Sequence, residues 1–387
     1  MLEIADVFRR FAADYLAAHG ASMPPSHRRA IADILNCRTA ALGGHVWRCE
    51  QCATEMFSWH SCGNRSCPKC HTTQIREWLE HRRAEMLPVP YFHITITVPE
   101  ELREILRSRQ RDGYGALMRA GAAAIIELAR DPRYVGGTVG VLAVLHTWTQ
   151  QLTLHPHVHC LVTGGGISDD ASTWYPAHRK FLVPIKALAK LVRGKFRAML
   201  HQKCPDLIIP DAAWRKCWIL HVTAWGNGEQ AVLDYLARYV FRVALTNARI
   251  VGLDDETVTI QFKERKTGRS RSCRLSGHEF LRRFLQHVLP RGFHKVRYFG
   301  LWHPAQRNSA ARVRQMLQLQ ATPKFDPPPD FAVPPLTPSG AESPPSPLIC
   351  PHCQGRLIFI RTLSPRQAMA PRSPHPGPPS TCCLVVA

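Results

Sequence analysis

No stretch of this sequence is long and apolar enough to span a bilayer, which takes about 18–20 residues. The most apolar run, Val135 to Leu145, is too short and carries three glycines. The N-terminus lacks the pattern of a secretory signal: Glu3 and Asp6 interrupt it, and no small-residue cleavage site follows an apolar stretch. The expectation is a cytoplasmic chain with no membrane partner. Acidic residues are also scarce. Against 50 Lys and Arg stand 29 Asp and Glu, a net charge of +21 over 387 residues. Such an excess points to a polyanionic partner, of which nucleic acid is the commonest. No internal repeat is present.

Cysteine, by contrast, is plentiful: 14 in all, with six between Cys37 and Cys70. A reducing cytosol would not keep them as disulfides, and their paired spacing reads as metal binding. Cys49 with Cys52, and Cys67 with Cys70, form two Cys-x2-Cys turns, each able to point two thiolates at one tetrahedral Zn(II). These four are expected to converge on one structural zinc. Cys37 and Cys62 are further candidates, and His45, His60 and His71 lie close in sequence. A third pair, Cys350 and Cys353, has no matching pair nearby, and Cys382 and Cys383 are adjacent.

Periodicity predicts a helical N-terminus with Val7, Phe8, Phe11, Tyr15 and Leu16 inward, and a helix around Trp78 and Leu79 that Pro88 and Pro90 end. Tyr91–Val98 alternates as a strand. Two helical segments follow, divided at Asp112 and Gly113. Strands are expected at Thr138–Thr149 and Leu154–Thr163, the latter broken by Gly164, Gly165 and Gly166. Ser276 to Glu279 is a capping box that opens a helix with Phe280, Leu281, Phe284, Leu285 and Val288 inward. From residue 321 onward lie 17 of the 31 prolines, which predicts a mostly disordered tail.

Three features carry chemistry. On a strand, His157 and His159 project to one face and form half of a divalent-metal site. On a helix, Tyr235 and Tyr239 are four residues apart and share a face, with Arg238 and Arg242 alongside. A phenol can attack a phosphodiester and hold it as a phosphotyrosine ester. Between residues 261 and 315 there are 14 Lys or Arg and two acids, Glu264 and Glu279, with Phe293, Tyr298, Phe299 and Trp302 interleaved. Cations track a backbone while aromatic faces stack on unpaired bases. Candidate contacts in or beside this stretch are Arg238, Arg242, Lys263, Arg265, Lys266, Arg282, Arg283, Lys295 and Arg297.

The order of a HITITV strand, a HPHVHCLV strand and a YLARY helix resembles the three motifs of rolling-circle HUH endonucleases. The segments CRTAALGGHVWRC, SCGNRSCPKC, YLARYVFRVALTN and FLRRFLQHVLPRGFHKVRYFG resemble the transposases of the IS-ninety-one group of insertion sequences, over about Leu2 to Leu317. Phe241 departs from the pattern, which has histidine beside the second tyrosine. The resemblance implies an α+β fold: an HUH-type antiparallel sheet flanked by helices over residues 91–320, a zinc-binding domain over 1–90, and a Pro-rich tail over 321–387. It implies Mg(II) or Mn(II) on His157 and His159, with the third ligand open among Gln150, Gln151, His146 and His93. Tyr235 and Tyr239 are expected to act as a pair. The implied function is nicking and rejoining of single-stranded DNA at element ends, in a nucleoid-associated enzyme. A plasmid or phage replication initiator shares this chemistry, and a zinc-ribbon DNA-binding regulator would lack it.

Overall fold

The computed structural model describes residues 2–70, 86–240, 243–264, 267–321 and 348–365. Trp78 and Leu79 of the expected helix, His71, Phe241, Arg242, Arg265, Lys266, Cys382, Cys383 and most of the Pro-rich tail lie outside them.

Helices α1 (Ile4–His19) and α2 (Pro25–Asn36) open the chain, followed by the hairpin strands β1 (Gly44–Cys49) and β2 (Glu55–Trp59). Strand β3 (Pro90–Thr97) leads to the long helix α3 (Gln110–Arg130), then β4 (Thr138–Trp148), β5 (Leu154–Ile167) and the short β6 (Trp174–Pro176). Helix α4 (Ile185–Lys203) precedes β7 (Ile219–Asn227) and α5 (Gly228–Tyr235). Three strands, β8 (Ile250–Leu253), β9 (Thr257–Lys263) and β10 (Ser270–Ser276), precede α6 (Gly277–Leu285), β11 (Val296–Gly300) and α7 (Arg307–Ala321). The last strand is β12 (Leu357–Leu363).

The architecture is α+β, with antiparallel sheets flanked by helices. The central sheet runs β11-β4-β5-β3-β7, with β6 added to β5. Strict alternation divides its residues. One face presents Ile94, Ile96, Val158, Cys160, Val162, Val141, Ala143 and Leu145, all buried beneath α3 and α4. Helix α3 sits close because small residues line it; a Cβ on Gly121 would stand 2.6 Å from the Ile96 Cδ1. The opposite face presents Tyr91, Leu142, Val144 and Leu161 and packs against Val232, Tyr235, Leu236 and Val240 of α5 and its extension, and against Val313 of α7.

A second core joins distant parts of the chain. Phe8 and Phe11 of α1, Ile31 and Ile34 of α2, Val258 and Ile260 of β9, and Phe280 and Phe284 of α6 share it. The Phe8 and Phe284 rings meet edge to face at 5.3 Å. Ser276 caps α6 as expected, accepting from the Glu279 N–H at 3.3 Å.

Two expectations are corrected. The helix break falls at Arg109, not at Asp112 and Gly113, which lie inside α3; Gly113 instead leaves room for Leu106, whose Cδ2 would be 2.6 Å from a Cβ there. Gly164, Gly165 and Gly166 do not break β5, which runs on to Ile167. They permit close approach: added Cβ atoms would meet Pro90, Trp174 and Gly137 at 2.6, 2.3 and 2.5 Å. Within the tail, the described residues 348–365 carry β12, which pairs antiparallel with β1 and gives the sheet β12-β1-β2. No helix among the described residues is long and apolar enough to cross a membrane.

Phe8 is fully buried. Phe8→Ala should destabilise the chain by about 3–5 kcal/mol, read as a lower denaturant midpoint. An unchanged midpoint would show that α1 and α6 do not depend on this contact.

Candidate functional site

The pairing of β5 with both neighbours builds a histidine cluster. His157 faces His146 on β4, and His159 faces Thr95 on β3, two residues from His93 on the same side of the strand. Ligand nitrogens of His146, His157 and His159 all lie within 4.8 Å of one another. Backbone and side-chain partners orient each ring. His157 Nδ1 lies 2.6 Å from the His155 carbonyl, and His146 Nε2 lies 2.7 Å from the Tyr239 carbonyl. A carbonyl only accepts, so these nitrogens carry protons and donate. His159 Nδ1 is 3.0 Å from His93 Nε2 and 3.3 Å from the Thr95 hydroxyl. Three imidazoles, two of them buried, stand close enough to share one divalent cation. Of the four residues considered for the third position, His146 joins the cluster. His93 supports His159, and Gln150 and Gln151 lie in the β4–β5 turn.

The tyrosines differ in depth. Helix α5 ends at Tyr235 and continues as a π-helical turn over Leu236–Val240, a local widening that recurs at functional sites. Tyr239 is half-buried, and its ring lies 4.1 Å from that of His159 and 4.7 Å from that of His93. Tyr235 is fully buried. Its hydroxyl has no hydrogen-bond partner among the described residues, and burial pushes its pKa well above the usual phenol range. The two rings are 5.0 Å apart, but of the two only Tyr239 has a ring contact with the cluster's His159, at a tilt of 34°.

A buried network holds the turn between β4 and β5. His287 lies between the Thr147 hydroxyl at 3.0 Å and the Leu152 carbonyl at 3.1 Å, and Gln286 donates to the same carbonyl at 2.7 Å. Arg283 donates to the Gln151 carbonyl at 3.2 Å, and Arg249 to that of Gln150. Among the candidate DNA contacts, Lys263 and Arg282 are exposed, while Arg283, Lys295 and Arg297 are half-buried. Arg282 and Arg283 both pair with Glu279, holding its carboxyl down to about 2. Arg297 lies 4.9 Å over the Phe293 ring, and burial, with Arg65 nearby, lowers Lys295 to about 8. Arg238 belongs to the π turn.

The cysteines do not gather as expected. Cys49, Cys52, Cys67 and Cys70 are divided between two clusters, because β1 carries the first pair away from the loop that holds the second. Cys67 and Cys70 join Cys37 and Cys62, and Cys49 and Cys52 join Cys350 and Cys353. In the first cluster the Cys70 sulfur lies 3.4 Å from those of both Cys37 and Cys62, and these hydrogen bonds lower its thiol pKa. Four thiols within 4.8 Å, three of them buried, suit tetrahedral zinc. His45 and His60 meet each other, Nε2 to Nε2 at 3.2 Å.

Two family models match the chain: one described as "Transposase zinc-binding domain" over residues 7–98, the other as "Putative transposase" over residues 140–310. The chain is 39% identical over 335 residues to "Putative transposase y4qJ" of Sinorhizobium fredii, covering 81% of this chain and 84% of that protein. The chain belongs to the IS-ninety-one group of insertion-sequence transposases. It is also 25% identical over 356 residues to "Transposase for insertion sequence element IS801" of Pseudomonas savastanoi pv. phaseolicola, covering 86% of this chain and 83% of that one. No solved structure matches it.

The matched segments map onto the transposase unevenly. The zinc-binding segment holds all of the Cys37 cluster and half of the Cys49 cluster. The second segment holds His146, His157, His159, Tyr235 and Tyr239, while His93 comes from the first.

Burial lowers the His287 imidazole from 6.5 to about 4. The unfolded chain therefore binds a proton that the folded chain refuses. This stability is whole above about pH 6.5 and is lost as pH falls towards 4, by about 3 kcal/mol at the limit. His287→Gln should flatten the pH dependence of the melting temperature in that window. An unaltered profile would place the acid sensitivity elsewhere.

Proposed function

We propose that this transposase nicks and rejoins single-stranded DNA at element ends through a 5′-phosphotyrosine intermediate, with Tyr239 as the attacking residue. The observation that carries this is the Tyr239 ring lying 4.1 Å from the ring of His159, within a three-histidine cluster able to hold one ion. Mg(II) or Mn(II), when bound by His146, His157 and His159, supplies positive charge that polarises the scissile phosphate and favours the phenolate.

The chain's own residues do the rest. His93 and Thr95 hold the His159 ring, and the Tyr239 carbonyl holds His146, so the nucleophile's own backbone fixes one of the cluster's rings. The Tyr239 oxygen forms a bond to phosphorus as the bond to the 3′ oxygen breaks. The proton lost by the phenol balances the one the 3′ oxygen gains, leaving a free 3′-OH and a 5′ end held on the protein. Attack by a 3′-OH on that ester restores the diester without ATP. Tyr235, sealed in the core, serves as packing under Tyr239 rather than as a second acceptor. Exposed cations such as Lys263 and Arg282 follow the phosphate backbone, each neutralised phosphate adding about 0.7 to the salt slope. The Cys37, Cys62, Cys67 and Cys70 set holds one structural zinc.

Tyr239→Phe should reduce the covalent adduct on a 3′-labelled single-stranded element end to background, while Tyr235→Phe retains it and is no less stable than the parent. An adduct that survives Tyr239→Phe and vanishes with Tyr235→Phe would reverse the assignment. Replacing His157 and His159 together by Ala should abolish nicking in Mn(II) yet leave single-strand affinity within about threefold, since cations carry binding. Normal nicking by that variant would sink the metal assignment.

A further inference from the structure

The Cys49 cluster draws half of its thiols from beyond residue 310, outside both matched segments. Its two halves are built alike. In the first, the Ala53 N–H donates to the Cys49 carbonyl at 3.1 Å and the Cys49 N–H to the Thr54 carbonyl at 3.0 Å. In the second, Gln354 donates to Cys350 at 2.9 Å and Cys350 to Gly355 at 2.8 Å. Ala53 and Gln354, each directly after the second cysteine, both take a left-handed backbone, at φ 56° and 62°. Non-glycine residues adopt that conformation only under constraint. Two knuckles of one design therefore face each other across the pairing of β1 with β12.

Their sulfurs meet. Cys49 Sγ lies 3.3 Å from Cys353 Sγ, and Cys52 Sγ lies 3.7 Å from Cys350 Sγ. All four lie within 4.8 Å of one another. Sulfurs about 2.3 Å from a tetrahedral zinc stand about 3.8 Å apart. Gly355 allows the approach, since a Cβ there would stand 3.0 Å from Cys49 Sγ. The apolar core beneath is small: Cys49, Met56, Cys350 and Leu357 are its buried members, with Trp47 and Leu348 against it. So small a core does not hold a two-ended assembly together unaided, whereas a structural metal contributes folding energy outright.

We propose that Cys49, Cys52, Cys350 and Cys353 bind a second zinc ion, which clasps residues 348–365 to the N-terminal hairpin. The site is independent of the nuclease reading, and its test uses zinc content rather than nicking. The full chain, purified under reducing conditions and desalted, should carry two zinc ions by elemental analysis. Cys350→Ser combined with Cys353→Ser should carry one, as should Cys67→Ser, through loss of the other site. Cobalt(II) substitution should give thiolate charge-transfer bands whose intensity halves in either variant. Cys353→His, which keeps a Cys3His donor set, should restore two ions and so separate ligation from misfolding. A full chain with a single zinc would overturn the proposal, as would a Cys350→Ser, Cys353→Ser chain that keeps two. Intact mass under non-reducing conditions showing Cys49–Cys353 and Cys52–Cys350 disulfides that persist in the zinc-loaded chain would overturn it too.

Discussion

The register of β5 between β4 and β3 is the constraint on which the candidate site depends. With His146 opposite His157 and Thr95 opposite His159, the pleat sends three imidazoles to one face and Val158 and Cys160 to the other. A slip of one residue would exchange the two sets. It would bury the histidines under α3 and α4 and present an apolar face to the tyrosines. The register is held from outside by the turn network around His287, Gln286 and Leu152, and at the far end by glycines that let β5 touch its neighbours. The geometry of the candidate site and the specification of the fold thus rest on the same hydrogen-bonded ladder.

Much of this was legible in one dimension, because strand and helix periods are local. Alternation placed His157 and His159 on one face, and the four-residue interval placed Tyr235 beside Tyr239. What could not be read were properties fixed by other segments. His146 sits eleven residues before His157 and becomes its neighbour only through strand pairing. Depth is equally non-local. Tyr235 and Tyr239 share a helix face, but the first is a fully buried member of the core that includes Leu161 and Val240. Cysteine spacing revealed knuckles correctly but not their partners, since two knuckles need a common ion and not a common stretch of chain. Glycines were misread for a related reason: Gly164 to Gly166 punctuate a sequence, yet in the sheet they mark close approach.

The donor sets also suit the polyanionic partner that the net charge implies. Neutral imidazoles leave a bound dication its full charge for phosphate oxygens, whereas carboxylate ligands would neutralise it and repel the backbone. Four thiolates do the reverse and screen an ion that has only to hold structure. The proposed sites therefore differ by ligand chemistry alone, imidazole on the central sheet and thiol at each cysteine cluster.

The pairing of β1 with β12 has a temporal consequence. Cys49 faces Leu357 across that ladder, so the middle strand of the sheet β12-β1-β2 waits for its second neighbour while about 300 further residues are made, roughly 15–60 s at ordinary ribosomal rates. During that interval β1 presents an open backbone edge flanked by thiols, a surface prone to pairing with another chain. Completion of this sheet is in this sense a late event, reporting that translation has passed through every element of the histidine and tyrosine site.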